Sequence, residues 1–369
     1  MSTSHPTRVI VVGAGTIARG RHLPAFEAIG PRIEVVGVVD PEIERARDLV
    51  QDLPQRAPAQ VFLRLEEALQ QASPELVIVC TPPVAHLETV VTALEAGAHV
   101  WCEKPAALSL AEVDRMADHV RPGGPTLSFV AQHRFGSAVR RLQELMATEA
   151  LGRPLVALCH TMWFRGHEYF TLPWRGRYAT EGGGPTLGHG IHQIDLAAAV
   201  LGDWVEVRAM MGTLDRDIEV EDVSMAAVRL SSGAMLSIVN SLLSPREESY
   251  LRFDFTDATV ELSHTYGYDN SNWTWTPAAH VRDEARVETW PPAVDRRSSH
   301  AAQLEHVLGC LDAGLAPTPD VADARRTLAL LTAIYRSAVT GTPTTPADLT
   351  PDDPFYASLG GRLAEGASR

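Results

Sequence analysis

The sequence predicts an α/β protein with a doubly wound parallel sheet in its N-terminal part, followed by a second α/β domain with a mainly antiparallel sheet. Three observations support this prediction. Before residue 132, short apolar runs alternate with helical patterns and lack hairpin turns, as in parallel sheets covered by helices on both faces. After Gln132, apolar runs follow one another across short connections, as antiparallel strands do. With 369 residues, the chain has the length of about two domains.

The N-terminal part contains six apolar runs of strand length. β-Branched residues dominate the first two runs, which is typical of strands buried on both faces. The expected strands are residues 8–12, 33–39, 59–62, 76–80, 98–102 and 126–131, and the expected helices are residues 42–51, 65–71, 84–96 and 109–119. Ser109 and Glu112 have the spacing of a capping box at the start of the last helix.

The C-terminal part is expected to contain strands, one long inserted helix at 186–201, and two closing helices. The expected strands are residues 156–164, 205–213, 220–230, 234–240 and 251–262, and the closing helices are residues 299–313 and 322–340. From Gly341 the chain is rich in Pro, Thr and Asp, which indicates a surface segment. We therefore expect domains at 1–131 and 132–345 and a surface tail at 346–369.

A glycine-rich turn follows the first expected strand and has the form G-x-G-x-x-A. Gly13 allows the tight turn, Gly15 lets the backbone approach a pyrophosphate, and Ala18 lets helix and strand pack closely. Asp40 ends the second strand, 22 residues past Ala18, at the spacing of an acid that binds the adenosine ribose. The turn and the acid predict dinucleotide binding, with NAD favoured over NADP because Asp40 would repel a 2′-phosphate. Asp40 could also cap the helix that follows it, and the two roles are compatible.

The expected fifth strand stops at Glu103-Lys104-Pro105. Ligands of open α/β sheets bind at the carboxyl ends of the strands, where Lys104 is expected. An isolated Glu-Lys pair at a strand end is more often a solvated ion pair, so the rest of the chain decides between the two interpretations.

Composition excludes several classes of function. The net charge of −14 and the isoelectric point near 5.4 argue against nucleic-acid or anionic-membrane partners, which require a basic face. The chain lacks a signal-peptide pattern at its start and any long apolar stretch, so no membrane span is expected. Its four cysteines form no CxxC pair, which favours reduced core residues in a cytoplasmic protein.

Three motifs together resemble the Gfo/Idh/MocA oxidoreductase family: the glycine turn, the stretch TPPVAHLETVVTALEAGAHVWCEKP, and the stretch GGGPTLGHGIHQID. The resemblance extends from Arg8 to about Thr345. It implies an N-terminal Rossmann domain, and a C-terminal α/β domain whose large open sheet supports a homodimer or homotetramer. It also implies nicotinamide-dependent oxidation or reduction of a polyhydroxylated substrate such as a sugar or cyclitol.

The resemblance also implies roles for individual residues. Lys104 and His192 match the catalytic positions. The positions that match the cofactor site are Gly13, Gly15, Thr16, Ile17, Asp40, Thr81, Pro82, His86, Glu103 and Lys104. The positions expected to contact substrate are His133, Arg134, Trp163, Arg175, His189 and Asp195. Tyr266, Tyr268, Trp273 and Trp275 are expected to pack in strands rather than bind a sugar.

One position departs from the family pattern. Four residues before His192, where the family has an aspartate, this sequence has Gly188. His189, His192 and Asp195 lie three apart on the expected long helix, so Asp195 or His189 could replace the missing carboxylate in a proton relay. A metal site formed by the same three residues is the competing interpretation, but they spread over about 120° of a helix and converge poorly, so we predict no metal. For His189, a packing role is an equal alternative.

The residue types suit the oxidation of an alcohol. Hydride goes to the nicotinamide, so the protein has to position the carbon and accept a proton. A lysine beside a cationic nicotinamide and partly shielded from water has a lowered pKa, and a histidine titrates near neutral pH. The leading hypothesis is therefore an NAD-dependent sugar or cyclitol dehydrogenase or reductase. The alternatives are an enzyme that cleaves glycosides by transient oxidation without net redox change, and a non-catalytic NAD-binding sensor suggested by Gly188.

Overall fold

The computed structural model describes residues 5–54 and 59–361 of the chain. The chain forms two compact units. The first comprises the described residues of Met1–Ala107, Glu112–Val130 and His300–Arg325. The second comprises Leu108–Ala111, Ala131–Ser299 and the described residues of Arg326–Arg369. Residues 300–325, which lie inside the expected second domain, thus group with the first unit.

The strands of the described part fall into two sheets. In chain order they are β1 (Thr7–Val12), β2 (Ile33–Val39), β3 (Gln60–Phe62), β4 (Leu76–Val79), β5 (His99–Cys102), β6 (Leu127–Phe129), β7 (Pro154–Phe164), β8 (Trp204–Gly212), β9 (Val223–Leu230), β10 (Met235–Ser241), β11 (Leu243–Phe255), β12 (Ala258–His264) and β13 (Trp273–Pro277).

The helices range from one turn to five. The α-helices are α1 (Leu23–Ile29), α2 (Ile43–Gln51), α3 (Leu65–Ala72), α4 (His86–Glu95), α5 (Leu110–Ala117), α6 (Ser137–Ala147), α7 (Pro185–Gly188), α8 (Ile191–Leu201), α9 (Glu284–Glu288), α10 (His300–Asp312), α11 (Val321–Thr340) and α12 (Pro354–Ala357). A π-helical segment, Ala18–His22, precedes α1.

The first unit is built on a six-stranded parallel sheet with the order β3-β2-β1-β4-β5-β6. The order reverses at β1, and such switch points are where doubly wound sheets bind ligands. Strand β4 is buried along its whole length, as expected for an apolar run without alternation. Helix α10 packs on α1 and contributes Leu304, Val307 and Leu308 to the core of this unit. The predicted parallel Rossmann sheet is therefore confirmed.

The second unit is built on a seven-stranded sheet with the order β13-β12-β11-β7-β10-β9-β8. Its neighbouring strands are antiparallel except for β7 and β10, which run parallel. Helix α8 packs on β7 and β11. Buried and exposed residues alternate along β9, so one sheet face is covered and the other is open. The mainly antiparallel sheet is confirmed.

The prediction of one long helix at 186–201 is wrong, because the helix is interrupted at His189–Gly190 and two helices, α7 and α8, form instead. Gly190 lies against Asn240 so closely that a Cβ would collide with the Asn240 side chain. His189 is therefore not on the same helix as His192 and Asp195. The helix-face argument for a three-residue relay does not hold.

Two further expectations differ from the structure. The run at 251–262 is a hairpin whose strands β11 and β12 are separated by Thr256 and Asp257. Trp273 and Trp275 lie on β13, as expected of strand residues, whereas Tyr266 and Tyr268 lie outside the strands. In the described part of the tail, α12 forms and buries Phe355, with Leu359 buried beyond it, so this part is not a plain surface coil. Residues 362–369 of the expected tail lie outside the described residues. Across residues 5–54 and 59–361, every helix falls short of the length or apolar character that crossing a bilayer requires.

Candidate active site

The glycine turn after β1 has the geometry that its sequence predicts. Gly13 has a φ of +94°, and a Cβ there would lie 2.8 Å from the carbonyl carbon and oxygen of Cys80. Both the conformation and the close approach thus require glycine. At Gly15, by contrast, a Cβ would meet no atom within 4 Å, so space is open beside this backbone. Helical hydrogen bonding begins with Arg19 donating to Gly15, which leaves the amides of Thr16 and Ile17 without acceptors inside the helix.

Asp40 lies directly after β2 and is buried. Its Oδ2 accepts the amide of Ala14 and its Oδ1 accepts the amide of Glu42, each at 2.8 Å. The carboxylate therefore ties the glycine turn to the end of β2. The helix that follows begins at Ile43, so Asp40 closes a turn before the helix rather than capping it.

The segment after β4 contacts the turn that holds Lys104. His86 is buried, with Nε2 2.9 Å from the Thr81 carbonyl and Nδ1 2.9 Å from the Pro105 carbonyl. Burial lowers the pKa of His86, and these two contacts raise it in part. Pro82 follows Thr81 and precedes a short 3₁₀ turn at Pro83–Ala85.

Glu103, Lys104 and Pro105 follow β5, and the bond from Lys104 to Pro105 is cis. Lys104 is half-buried. It is the only lysine in the sequence, which has 32 lysine and arginine residues in total. The Glu103 side chain is buried; its Oε1 lies within hydrogen-bond distance of His22 and His300, and its Oε2 accepts the Lys104 amide. The carboxylate therefore lies in the interior of the first unit.

In the second unit, His192 lies near the start of α8 and is 5% exposed. Gln132 donates from its side-chain amide to Nδ1 of His192 at 3.3 Å and to the Tyr266 hydroxyl at 3.3 Å. Because an amide nitrogen only donates, Nδ1 of His192 accepts, and the neutral imidazole carries its proton on Nε2. The Tyr266 ring lies edge-on to His192 with centroids 5.5 Å apart.

His133 stacks on His192 with ring centroids 5.0 Å apart. Gln193 connects two histidines, because its amide nitrogen is 3.3 Å from His133 Nδ1 and its oxygen is 3.4 Å from His264 Nε2. Burial lowers the pKa of His264 to about 4, so this ring is neutral at physiological pH. The sequence did not indicate Gln132, Gln193 or His264, because their roles arise from contacts between distant segments.

Arg134 and Asp195 form a bidentate ion pair. The guanidinium donates from Nε to Oδ2 at 2.7 Å and from Nη2 to Oδ1 at 2.6 Å, and the Thr327 hydroxyl donates to Oδ1 at 2.8 Å. The two side chains are 15% and 11% exposed. Each thus has its charge compensated within the second unit, and the pair holds the segment before α6 to α8.

Trp163 and His189 meet edge to face with centroids 5.2 Å apart, and the Tyr169 hydroxyl lies 3.3 Å from Nε2 of His189. Arg175 lies over the Tyr169 ring at 3.9 Å and donates to Glu181 at 2.8 Å. The structure thus groups Trp163, Arg175 and His189 through Tyr169, which the sequence did not indicate.

Gly188 faces open space. A Cβ there would meet one atom within 4 Å, Oε1 of Glu181 at 3.9 Å. Glu181 is 7% exposed and also accepts the Gly176 amide at 2.7 Å. A buried carboxylate therefore lies beside position 188, supplied by a residue seven positions earlier. Its only sequence signal is a glutamate directly before three glycines.

Of the aromatic residues expected to pack, Tyr268 and Trp273 are buried. Tyr266 differs, since it also contacts His133 at a centroid distance of 6.0 Å and Trp163 at 6.1 Å. An imidazole pair, an indole and a phenol thus surround one region of the second unit. Such a wall suits a polyhydroxylated ring, whose apolar face can stack on aromatic groups.

Two family profiles match the chain. One, described as an oxidoreductase family with an NAD-binding Rossmann fold, matches residues 7–129, and the other, the GFO/IDH/MocA C-terminal domain, matches residues 139–278. The chain belongs to the GFO/IDH/MocA family. The D-glucoside 3-dehydrogenase of Escherichia coli is 28% identical over 368 residues, which cover 92% of this chain and 97% of that protein. The 1,5-anhydro-D-fructose reductase of Ensifer adhaerens is 30% identical over 253 residues, covering 68% of this chain and 74% of the reductase.

Among solved structures, the WlbA dehydrogenase from Bordetella pertussis in complex with NADH and UDP-GlcNAcA superposes with a TM-score of 0.81 at 27% identity, covering 92% of this chain and 99% of that chain. The family and its relatives make the protein an NAD(P)-dependent sugar or cyclitol oxidoreductase that acts on CH–OH groups. NAD fits the first unit, because the backbone beside Gly15 is open and the first helical amides are available to a pyrophosphate.

Proposed function

We propose that the protein transfers hydride between NAD and a hydroxyl-bearing carbon of a neutral sugar or glycoside, with Lys104 and His192 as the acid/base pair. The position of Lys104 carries this proposal. The only lysine of the chain directly follows Glu103 after β5, and the adjacent strands β4 and β1 end at the same sheet edge, where Thr81 and Gly13 lie. Of the two strongly basic side chains, arginine always stays charged, whereas lysine can release its proton when its surroundings lower its pKa.

NAD, when bound, supplies the hydride acceptor. The neutral amine of Lys104 takes the proton of the substrate hydroxyl, and the ammonium returns it in the reverse direction. His192 is held by Gln132 with its proton on Nε2, so it donates a hydrogen bond to the same substrate oxygen. Two donors at one oxygen stabilise the charge that develops there.

A neutral substrate is supported by the pairing of the arginines in the second unit. Arg134 pairs with Asp195 at 2.6 Å, and Arg175 pairs with Glu181 at 2.8 Å. Arg165, which lies over the Trp163 ring at 5.1 Å, pairs with Glu247 at 2.8 Å. A phosphate or carboxylate on the sugar would have to compete with these carboxylates. The similarity to a D-glucoside 3-dehydrogenase supports the same substrate class.

We further propose that Glu181 provides the carboxylate that the family has at position 188. Asp195 is bound by Arg134 and Thr327, and the His189 ring lies against Tyr169, so the side chains of both residues expected to compensate are engaged by other partners. Glu181 Oε1 lies 3.9 Å from the Cβ position of Gly188.

The test measures three products after incubation with NAD and matched substrates: a methyl glucoside, glucose 6-phosphate, glucuronate and myo-inositol. NADH formed in proportion to a keto sugar, with kcat/KM at least tenfold higher for the methyl glucoside than for the two anions, supports the proposal. Release of methanol without net NADH indicates glycoside cleavage by transient oxidation. Higher kcat/KM on the anions contradicts the neutral class, and NAD binding without turnover contradicts catalysis.

Lys104→Arg provides the matched variant for the acid/base role, since it keeps the charge and removes the titration. We expect a loss of kcat of at least about 100-fold with an NAD dissociation constant within about twofold, because general acid/base catalysis contributes 10²–10⁴-fold. His192→Gln should lower kcat in the same way. His160→Gln, a half-buried histidine on β7, is the control and should keep full activity.

We also propose that the open face of the second sheet forms a homodimer or homotetramer interface in a cytoplasmic protein. Exposed apolar residues pair across neighbouring strands on this face, Met210 with Met225 and Met235 with Val156. Light scattering of the wild type and of Met225→Lys tests the interface, and a monomeric wild type contradicts it. The four cysteines are free, which suits a reducing compartment, and cell fractionation tests the location.

A further inference from the structure

Three buried side chains of the first unit converge behind Lys104. Nε2 of His22 lies 2.9 Å and Nε2 of His300 lies 3.1 Å from the same oxygen, Oε1 of Glu103. Their side chains are 0%, 5% and 4% exposed. His22 ends the π-helical segment before α1, His300 begins α10, and they lie 81 and 197 residues from Glu103. π-Helical turns are rare and are frequently found at functional sites.

The cluster keeps Glu103 ionised in the interior. Burial raises the pKa of Glu103, but the hydrogen bonds from His22 and His300 outweigh it and hold the pKa well below its ordinary value. Burial lowers the pKa of His300 despite the attraction of Glu103, so His300 donates as a neutral imidazole. A buried carboxylate is stable only when such donors satisfy it.

Other titratable groups that interact with the cluster are the thiols of Cys80 and Cys102, His86 and Arg21. Burial raises the pKa of both thiols, with Glu103 adding to the rise, so they are neutral. Burial also lowers the pKa of His86. The two histidines on Oε1 are thus the groups that hydrogen-bond Glu103 and favour its ionised form.

The cluster is connected to Lys104 through the backbone. Oε2 of Glu103 accepts the amide of Lys104 at 3.2 Å, and the carbonyl of Pro105 lies 2.9 Å from Nδ1 of His86. Buried side chains therefore hold the peptide unit that precedes Lys104 and the one that follows Pro105. A rigid backbone at this residue limits the directions in which the amine can project.

The same three residues have the ligand types of a zinc site, and their ligand atoms lie within 4.8 Å of one another. The distances favour hydrogen bonds instead. Ligand atoms on one tetrahedral zinc, each about 2.0–2.1 Å from the metal, lie about 3.3 Å apart. Here both nitrogens approach one oxygen at 2.9 and 3.1 Å, within the ordinary range of N–H···O hydrogen bonds.

We infer that His22 and His300 are positioning residues: together they fix the Glu103 carboxylate, which in turn holds the Lys104 backbone so that the amine is presented in one direction. The inference rests on the proposed role of Lys104 in proton transfer. It assigns a function to His300 at the start of α10, which would affect proton transfer only through Glu103.

The test compares His300→Gln, which keeps an N–H donor near the Nε2 position, with His300→Leu, which removes it. His306→Leu, six residues further on α10, is the matched control. We expect kcat to fall at least about tenfold in His300→Leu, while the NAD dissociation constant stays within about twofold of the wild-type value. In His300→Gln, most of the wild-type kcat should be retained. Because loss of a donor raises the pKa of Glu103, the acid limb of the kcat–pH profile should move to higher pH in His300→Leu. The same variants at His22 should behave alike.

A direct readout of Lys104 is available because the chain has one lysine. Reductive ¹³C-methylation labels that side chain and the N-terminal amine alone. We expect the lysine methyl signal of the folded, NAD-bound protein to be single in the wild type, and to shift or split in His300→Leu but not in His306→Leu.

Three results would overturn the inference. The first is an unchanged lysine signal and pH profile in His300→Leu, which would leave the cluster a purely structural role. The second is His300→Gln losing as much kcat as His300→Leu. The third is stoichiometric metal in the purified wild type that is absent from His300→Gln. A shifted lysine signal in His300→Leu, together with no turnover by the wild type on any substrate, would support the positioning cluster and contradict the proposed function.

Discussion

Placing a carboxylate at position 188 tests whether Glu181 already supplies the negative charge there. Gly188 belongs to α7, and a Cβ would meet only Glu181 Oε1, at 3.9 Å. Gly188→Ala therefore adds a methyl group to open space and provides the uncharged reference for this position. Gly188→Asp places a second carboxylate in the same space.

An aspartate extends its carboxylate from this Cβ position, 3.9 Å from Glu181 Oε1, so a separation of about 4 Å between the two charges gives the scale of the effect. Two unit charges about 4 Å apart repel by about 4 kcal/mol at an effective dielectric constant of about 20. Arg175 offsets part of the repulsion, because its Nη1 lies 2.8 Å from Glu181 Oε1. We therefore expect Gly188→Asp to unfold with a free energy about 2 kcal/mol lower than that of Gly188→Ala at pH 7. Below about pH 4, where carboxyl groups take up protons, the difference should disappear.

Urea unfolding of Gly188→Ala, Gly188→Asp, Glu181→Gln and the double variant Glu181→Gln/Gly188→Asp forms the mutant cycle. The neutral amide at position 181 should remove the penalty of the aspartate. In activity assays, Gly188→Asp should be slower than Gly188→Ala, and the double variant should regain rate because it again has one carboxylate. A Gly188→Asp protein that is as stable as Gly188→Ala and faster than the wild type would refute the reasoning, since it would show that position 188 lacks a carboxylate.

Three further predictions concern other residues. Arg134→Leu should lower the free energy of unfolding by about 3–5 kcal/mol, because it leaves Asp195 buried without its cation, and Arg134→Leu/Asp195→Leu should lose less in urea titrations. The pKa of His264 is about 4 in the folded protein, so the unfolded chain binds more protons between pH 6.5 and 4. The free energy of unfolding should therefore fall by up to about 3 kcal/mol as the pH decreases through this range. A His264→Gln variant with the same pH dependence would contradict this assignment. Asp40→Asn should reduce the NAD-to-NADP ratio of kcat/KM at least about tenfold, because the charge that repels a 2′-phosphate is lost, whereas an unchanged ratio would place cofactor discrimination elsewhere.

The sequence predicted the first sheet well because each strand is a local signal. Strand β2 was expected at its observed bounds, since an apolar, β-branched run that is buried on both faces needs no partner to be recognised. The glycine turn was equally clear, because Gly13 is required by its own φ and by the close backbone of Cys80. Features that depend on one short stretch of chain could therefore be predicted from the sequence.

Features that depend on contacts between distant segments could not. The break between α7 and α8 depends on Asn240, 50 residues after Gly190. The carboxylate beside Gly188 comes from Glu181 in an irregular loop, where spacing carries no information about direction. His300 contacts Glu103, 197 residues away in the chain, so no local sequence pattern indicates that the two side chains meet.

The charges of the two units are consistent with one substrate class. In the first unit, Glu103 is an anion stabilised by histidine donors, so the ammonium of Lys104 is not needed to neutralise it. In the second unit, Arg134 and Arg175 are each balanced by a carboxylate. If Lys104 also had to neutralise a substrate phosphate or carboxylate, it would lose the ability to release its proton at neutral pH, because a nearby anion favours the charged amine. A substrate without charge leaves the single lysine able to exchange its proton with the reacting oxygen, as its proposed acid/base role requires.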